Sequence, residues 1–223
     1  MKPTLFLEAI GKFLTGLILV ALLLFLSAGS LAYFNAWLFI VLLFVPMFLA
    51  GVIMLIKNPT LLQKRLQAKE NQKEQDFIIK CSALMFLLGF IVAGLGFRFK
   101  WFTLPRGIVL GAVILFLLSY LLYAEVLREN IYLSRTIEVS ENQRVIDTGL
   151  YAVVRHPMYT ATLFLFLSMP LILGSLYAFL IFLVYPVLII LRLQKEEEYL
   201  EKNLIGYSAY KQKVKYRLIP FIY

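Results

Sequence analysis

The chain has 223 residues, 61% of them apolar, and its mean hydropathy is +0.84. Soluble proteins contain roughly 45–50% apolar residues, so this composition excludes a soluble domain and indicates an integral membrane protein. The formal charge is +9, but the basic residues lie at the ends of apolar runs, as is typical beside anionic lipid headgroups. We therefore expect membrane lipids, and no nucleic acid, as partners. With one His and one Cys, neither an intrachain disulfide nor a His- or Cys-based metal site is expected.

Apolar runs predict the membrane spans in chain order. A bilayer core of about 30 Å needs about 20 apolar residues per helical crossing. Residues 13–56 carry no charge, so this run predicts two crossings with a turn at residues 34–36. A cleaved signal peptide ending near residue 29 is not favoured, because the hydrophobic pattern continues into the second crossing. Two further crossings are predicted over residues 77–97 and 107–124.

The final apolar block, residues 158–191, is longer than one crossing needs. Pro170, Gly174 and Ser175 interrupt it near the middle, so we predict a helical hairpin of two short arms. The distribution of Lys and Arg supports this layout with both termini in the cytoplasm, because the outer turns then hold only Arg98, Lys100 and Arg106. The prediction is an all-α polytopic membrane bundle in the inner or plasma membrane, with four spans plus a C-terminal hairpin. It forms one domain, in which residues 1–127 supply the N-terminal spans and residues 128–223 the cytoplasmic cofactor-binding and catalytic region.

A hairpin brings together the polar clusters at the two ends of the final block. At its start, Pro157 restricts His156 to an extended backbone and fits the first turn of a helix, whose free amides attract anions. This helix entrance, with Arg155 close by, would suit an anionic group such as a carboxylate. Alternatively, Arg155 meets lipid phosphates and His156 caps the helix. At its end, Arg192 and Glu196 are four residues apart and share one helix face. The alternative there is a solvated helix end, with Tyr207 and Tyr210 as interfacial anchors.

The same segments carry a resemblance to a known family. Residues 148–159 (TGLYAVVRHPMY), Arg192 with the following glutamates, residues 206–210 (GYSAY) and residues 214–220 (VKYRLIP) resemble the isoprenylcysteine carboxyl methyltransferase and phospholipid methyltransferase superfamily. The resemblance covers about the last 90 residues. The chain departs from the eukaryotic pattern at residues 204–206, where a Phe-Gly pair is usual, and it has fewer spans.

The resemblance implies methyl transfer that depends on S-adenosylmethionine, with the cofactor entering from the cytosol and a lipophilic small-molecule or lipid acceptor from the bilayer. Carried over by motif, Arg192 would hold the acceptor. Glu197 is the nearest candidate base for an amine acceptor. The residues that the motif match assigns to the cofactor are Gln143, Arg144, Val145, Ile146, Tyr151, His156, Pro157, Met158, Tyr159 and Glu196.

These residue types suit the parts of the cofactor. The helix entrance at His156 suits its carboxylate, Glu196 its ammonium, and Tyr151 or Tyr159 its adenine ring or sulfonium. Whether the acceptor is a carboxylate or a lipid headgroup amine stays open. Two other functions are also open: an NADPH-dependent membrane reductase similar to sterol reductases, and a non-enzymatic scaffold or transporter. Transport is disfavoured because the spans carry almost no ionisable residue.

Overall fold

A computed structural model describes residues 3–66, 73–133, 139 and 142–223. Within these ranges the chain is helical and has no β-strand. Residues 1–2, 67–72, 134–138 and 140–141 lie outside the described residues. The α-helices are α1 (Pro3–Ala28), α2 (Phe34–Lys57), α3 (Pro59–Leu66), α4 (Lys73–Arg98), α5 (Arg106–Glu129), α6 (Pro157–Ile172), α7 (Leu176–Phe182), α8 (Tyr185–Asn203) and α9 (Tyr207–Lys213), and a 3-10 helix spans Gly149–Ala152.

Among the described residues, five helical segments are long and apolar enough to cross a membrane. They confirm the predicted polytopic helical bundle, and the chain is an integral, multi-pass membrane protein. Four are α1, α2, α4 and α5, as the apolar runs predicted. The fifth is Leu176–Asn203, which joins α7 to α8 and follows the shorter apolar α6.

The predicted turn at residues 34–36 is wrong, because α2 already begins at Phe34. The chain reverses at residues 29–33 instead, where Gly29 adopts a left-handed conformation with φ +62°. The Tyr33 carbonyl then accepts from the amides of Ala36 and Trp37. Asn35 therefore lies in the first turn of α2. Backbone amides in a first turn have no partner within the helix, so a polar residue there does not mark a break in the helix.

The final apolar block turns back on itself, which confirms the hairpin. Pro170 lies within α6, and the reversal occurs at Gly174, whose φ is +73°. The Ser175 hydroxyl caps α7 by accepting from the Ala178 amide at 3.2 Å. Gly174 supplies the left-handed conformation that other residues rarely adopt, and it marks the end of the first arm.

The hairpin tip meets the turns of the N-terminal spans at one end of the bundle. Tyr33 of the α1–α2 turn donates to the Leu173 carbonyl at 2.6 Å. The Leu104 amide of the α4–α5 turn donates to the Gly174 carbonyl at 3.0 Å. Between the two ends, buried rings such as Phe39, Phe116 and Phe182 form the core. The polar clusters that flank the hairpin consequently lie together at the end opposite its tip.

Candidate functional site

A polar pocket lies at the end of the bundle opposite the hairpin tip. Four stretches of chain form its wall: residues 130–133 after α5, residues 143–146, the segment from the 3-10 helix to the start of α6, and the end of α8 with α9. The lining residues are Asn130, Tyr132, Leu133, Gln143, Arg144, Val145, Ile146, Tyr151, Arg155, His156, Met158, Tyr159, Arg192, Glu196, Leu200, Leu204, Tyr207 and Tyr210.

The C-terminal segment, residues 214–223, holds the start of α6 in position. The Arg155 amide donates to the Tyr216 carbonyl and the His156 amide to the Arg217 carbonyl, each at 2.9 Å. The Thr160 hydroxyl donates to the Leu218 carbonyl at 2.6 Å. Backbone groups that α6 cannot satisfy internally are thus paired with a distant part of the chain, which fixes both pocket walls relative to each other.

Behind the pocket wall lies a buried charge cluster centred on Glu197, which is 3% exposed. Its Oε1 atom accepts from Arg155 Nε at 2.7 Å and lies 3.1 Å from His156 Nε2. Its Oε2 atom lies 3.2 Å from Arg217 Nε. Removing two or more charges from water is costly, and close hydrogen-bonded geometry is what offsets that cost. The cluster therefore joins α6, α8 and the C-terminal segment.

The alternative that Arg155 meets lipid phosphates is wrong. Arg155 is 7% exposed, and it also donates to the Val214 and Lys215 carbonyls at 2.7 and 2.8 Å. It therefore cannot reach lipid phosphates. His156 is the N-cap residue of α6, and its carbonyl accepts from the Tyr159 and Thr160 amides. Its side chain makes no capping bond, and the ring faces Glu197 instead.

Tyr159 links two charged residues on the pocket-facing side of α8. Its hydroxyl donates to Glu196 Oε2 and accepts from Arg192 Nε at 3.0 Å. The Arg192 carbonyl also accepts from Gln75 Nε2 of α4 at 3.3 Å. Arg192 and Glu196 both line the pocket, as their spacing of four residues predicted. One cationic and one anionic group are thus held side by side at the wall.

The opposite wall is aromatic and is supported by the end of α5. The Tyr151 hydroxyl accepts from Asn130 Nδ2 at 2.8 Å, and the Tyr151 carbonyl accepts from the Tyr210 hydroxyl at 2.8 Å. The Glu129 carboxylate accepts from the Leu150 amide at 3.0 and 3.2 Å. These bonds fix the Tyr151 ring, which offers a flat surface for stacking an aromatic ligand.

Gly149 allows Glu129 to approach the Leu150 amide closely. Replacing this glycine tests whether ligand binding depends on the position of Tyr151. Its φ is +56°, and a Cβ atom there would lie 1.7 Å from Glu129 Oε1. We expect Gly149→Ala to cost about 1–3 kcal/mol and to displace Tyr151. Ligand affinity and the thermal unfolding midpoint should both fall. Gly107→Ala, where a Cβ meets nothing within 4 Å, should leave both unchanged, and equal behaviour of the two variants would contradict this account.

Tyr207 contributes a buried hydroxyl to the pocket. The residue is 4% exposed, and within the described part of the chain its hydroxyl has no hydrogen-bond partner. Burial raises the pKa of Tyr207 above its ordinary value, so the hydroxyl stays protonated and can donate. A buried polar group without a partner is costly and calls for an explanation.

The structure brings most of the predicted site residues together. Of the predicted cofactor residues, only Pro157 is absent from the pocket wall, because it is buried in the first turn of α6. Arg192 lines the pocket, whereas Glu197 does not. The motif match did not assign eight further lining residues: Asn130, Tyr132, Leu133, Arg155, Leu200, Leu204, Tyr207 and Tyr210. Of these, the sequence had already placed Arg155 beside the α6 entrance and Tyr207 and Tyr210 after the final apolar block, which was the available signal.

Comparison with protein families identifies the region that builds this site. Residues 107–205 match the family model described as phospholipid methyltransferase. This range covers α5, the 3-10 helix and the whole hairpin, and so includes most of the pocket wall. No curated protein sequence matches the chain. The family match confirms the resemblance drawn from the motifs, since residues 107–205 of this chain are similar to the phospholipid methyltransferase domain.

Proposed function

We propose that this protein is an S-adenosylmethionine-dependent methyltransferase that modifies a lipophilic or amphiphilic acceptor at the cytoplasmic face of the inner or plasma membrane, where both termini lie. The observation that carries the proposal is the composition of one pocket. Its wall combines an anionic side chain (Glu196), a cationic one (Arg192) and an aromatic one (Tyr151), which come from segments before and after the hairpin. Most of these lining residues lie within the region that matches the methyltransferase family.

The pocket residues suit the polar parts of the cofactor. Glu196 is placed to bind its ammonium by a charge-assisted hydrogen bond. Tyr151 offers a ring face to the adenine. The α6 entrance at His156, with Arg155 in the adjacent wall, suits the carboxylate. When bound, S-adenosylmethionine supplies an activated methyl group, so the protein chiefly orients the reactants and excludes water.

Arg192 and Glu197 take different parts in this proposal. Arg192 lines the pocket and would hold an anionic group of the acceptor, next to the cofactor site at Tyr159. Glu197 lies behind the wall and is occupied by Arg155, His156 and Arg217. We therefore assign Glu197 a positioning role in place of the base role for which it was the nearest candidate with an amine acceptor.

Tyr207→Phe tests whether the pocket holds a polar ligand at this point. If the buried hydroxyl donates to the cofactor, its removal should weaken S-adenosylmethionine binding by about 0.5–1.5 kcal/mol, or roughly two- to twelvefold. Stability without ligand should stay equal or rise, since an unpaired buried group is lost. Calorimetric titration and a thermal unfolding scan give the two values. An unchanged affinity, or a clear loss of stability without ligand, would contradict this role.

The reaction itself is tested by incubating the purified protein with S-adenosylmethionine labelled in its methyl group and a total lipid extract. We expect a labelled lipid product that requires the protein. Label released by base as methanol identifies a carboxyl acceptor, and base-stable label on nitrogen identifies a headgroup amine. The proposal fails if no lipid is labelled while the protein binds NADPH in preference to S-adenosylmethionine.

A further inference from the structure

A second cavity, of about 480 Å³, lies beside the polar pocket and is separate from it. Its walls are apolar side chains of α1, α2, α5 and α6, such as Phe13, Leu55 and Phe166. Phe48 and Val52 of α2 belong to the lining and remain exposed, at 45% and 37%. The helices that form the cavity therefore do not enclose it. Its volume lies within the range of about 300–1,000 Å³ that is typical of ligand sites.

The polar end of this cavity is basic. Of the described residues that line it, only Lys12 and Arg65 are charged. Lys12 Nζ donates to the Leu66 carbonyl and to Glu8, each at 2.6 Å. The Arg65 guanidinium lies over the Tyr123 ring, 5.5 Å from its centroid, and donates to the Tyr123 hydroxyl. These contacts hold the Arg65 guanidinium against α5.

The two cavities meet at α6. Met158 lines the polar pocket, and its sulfur lies 3.9 Å from Arg65 Nη1. Thr162 lines the apolar cavity and donates to the carbonyl of Tyr159, which lines the polar pocket, at 3.2 Å. Roughly one helical turn therefore separates the cofactor site from the apolar cavity, and Arg65 stands at the junction.

We propose that the apolar cavity holds the hydrocarbon chain of the methyl acceptor and that Arg65 holds an anionic oxygen group of the same molecule. This inference rests on the proposed methyltransferase function and names its substrate class, an anionic amphiphile. The chain is stabilised by leaving water for the apolar walls. A guanidinium beside an oxyanion forms a charge-assisted bond, whether that oxyanion is a carboxylate or a phosphate. The bound group would lie at Arg65, about one helical turn from the polar pocket that Arg192 lines.

One glycine allows the cavity to be filled, and another provides a matched control. Gly51 of α2 lines the cavity, Gly111 of α5 is not among the lining residues, and a Cβ at either meets nothing within 4 Å. Gly51→Trp therefore occupies cavity space, and Gly111→Trp is the matched control on a lipid-facing helix surface. Gly51→Leu repeats the test with a smaller side chain, and thermal unfolding of each variant confirms its integrity.

Photoreactive amphiphiles report occupancy directly. The protein is placed in phosphatidylcholine nanodiscs and irradiated with a diazirine derivative of hexadecanoic acid, hexadecanol or phosphatidic acid, and labelled peptides are identified by mass spectrometry. We expect the acidic probes to label α1 and α2 at the cavity, and Gly51→Trp to reduce this labelling about fivefold or more because the cavity is of ligand size. Gly111→Trp should have no effect. Preference for hexadecanoic or phosphatidic acid distinguishes a carboxylate from a phosphate.

Arg65→Gln tests the charge selectivity of the cavity. Loss of a charge-assisted bond should lower labelling by the acidic probes about tenfold and leave hexadecanol labelling unchanged. Equal labelling of the Gly51→Trp and Gly111→Trp variants, or no difference between acid and alcohol, would overturn the inference. Calorimetry with S-adenosylmethionine on the same samples separates the two proposals. If the protein binds S-adenosylmethionine but labelling is unspecific, only the assignment of the cavity is refuted. If labelling is specific but S-adenosylmethionine does not bind, the proposed methyltransferase function is refuted.

Discussion

Replacing Glu197 with Gln should destabilise the protein by about 3–5 kcal/mol, the largest effect expected of any substitution in the site. Glu197 lies between Arg155, His156 and Arg217. Its neutralisation leaves the buried Arg155 guanidinium without a counter-charge, next to a second arginine. The thermal unfolding midpoint in detergent should fall sharply, and the entrance of α6 should lose its fixed position. Cofactor affinity should fall with it.

Glu198→Gln is the matched control, because Glu198 follows in the same helix and its side chain is 59% exposed. Exposed ion pairs contribute about 0–1 kcal/mol, so this variant should unfold like the wild type. The double variant Arg155→Met, Glu197→Leu distinguishes a stranded charge from a general loss of packing. It should recover part of the stability, because removing both partners relieves the uncompensated charge. A double variant less stable than Glu197→Gln would contradict the assignment.

Glu196→Gln should weaken S-adenosylmethionine binding by about 1.5–3 kcal/mol, or roughly 10- to 100-fold, with little change in stability. Glu196 lines the pocket and is only partly buried. Its replacement removes the anionic partner proposed for the cofactor ammonium but leaves an acceptor for the Tyr159 hydroxyl. Calorimetric titration of the two proteins measures the difference.

The specificity of this effect can be measured with S-adenosylhomocysteine and with an analogue that lacks the amino group. Glu196→Gln should weaken the binding of S-adenosylhomocysteine as much as the binding of S-adenosylmethionine, because the ammonium is common to both ligands. The analogue without the amino group should show no loss on substitution. An equal loss for all three ligands would show that Glu196 acts through the pocket shape and not through the ammonium.

The spans, the hairpin and most of the pocket wall could be predicted from the sequence. Uncharged runs of known length fix the number of crossings, and Gly174 with Ser175 marks the reversal. Once the chain turns back, the motif at His156 and the motif at Glu196 must meet. The spacing of Arg192 and Glu196 places both on one helix face, and both line the pocket.

The division of labour between Glu196 and Glu197 could not be predicted, because adjacent residues on a helix point in directions about 100° apart and the sequence does not reveal which faces the pocket. Tyr132 and Leu133 reach the pocket because α5 ends beside the 3-10 helix, a contact between distant segments. The apolar cavity was equally hidden, since side chains that line a cavity and side chains that face lipid have the same composition.

The central claim is that one polar pocket, assembled from residues before and after the hairpin, binds the methyl donor. Calorimetric titration of the detergent-purified protein with S-adenosylmethionine and, separately, with NADPH tests it most directly. Saturable binding of S-adenosylmethionine, abolished or strongly weakened in both His156→Ala and Glu196→Gln but retained in Glu198→Gln, is the predicted result. Absence of saturable S-adenosylmethionine binding by a folded wild-type protein, or unchanged binding in both pocket variants, would contradict the claim.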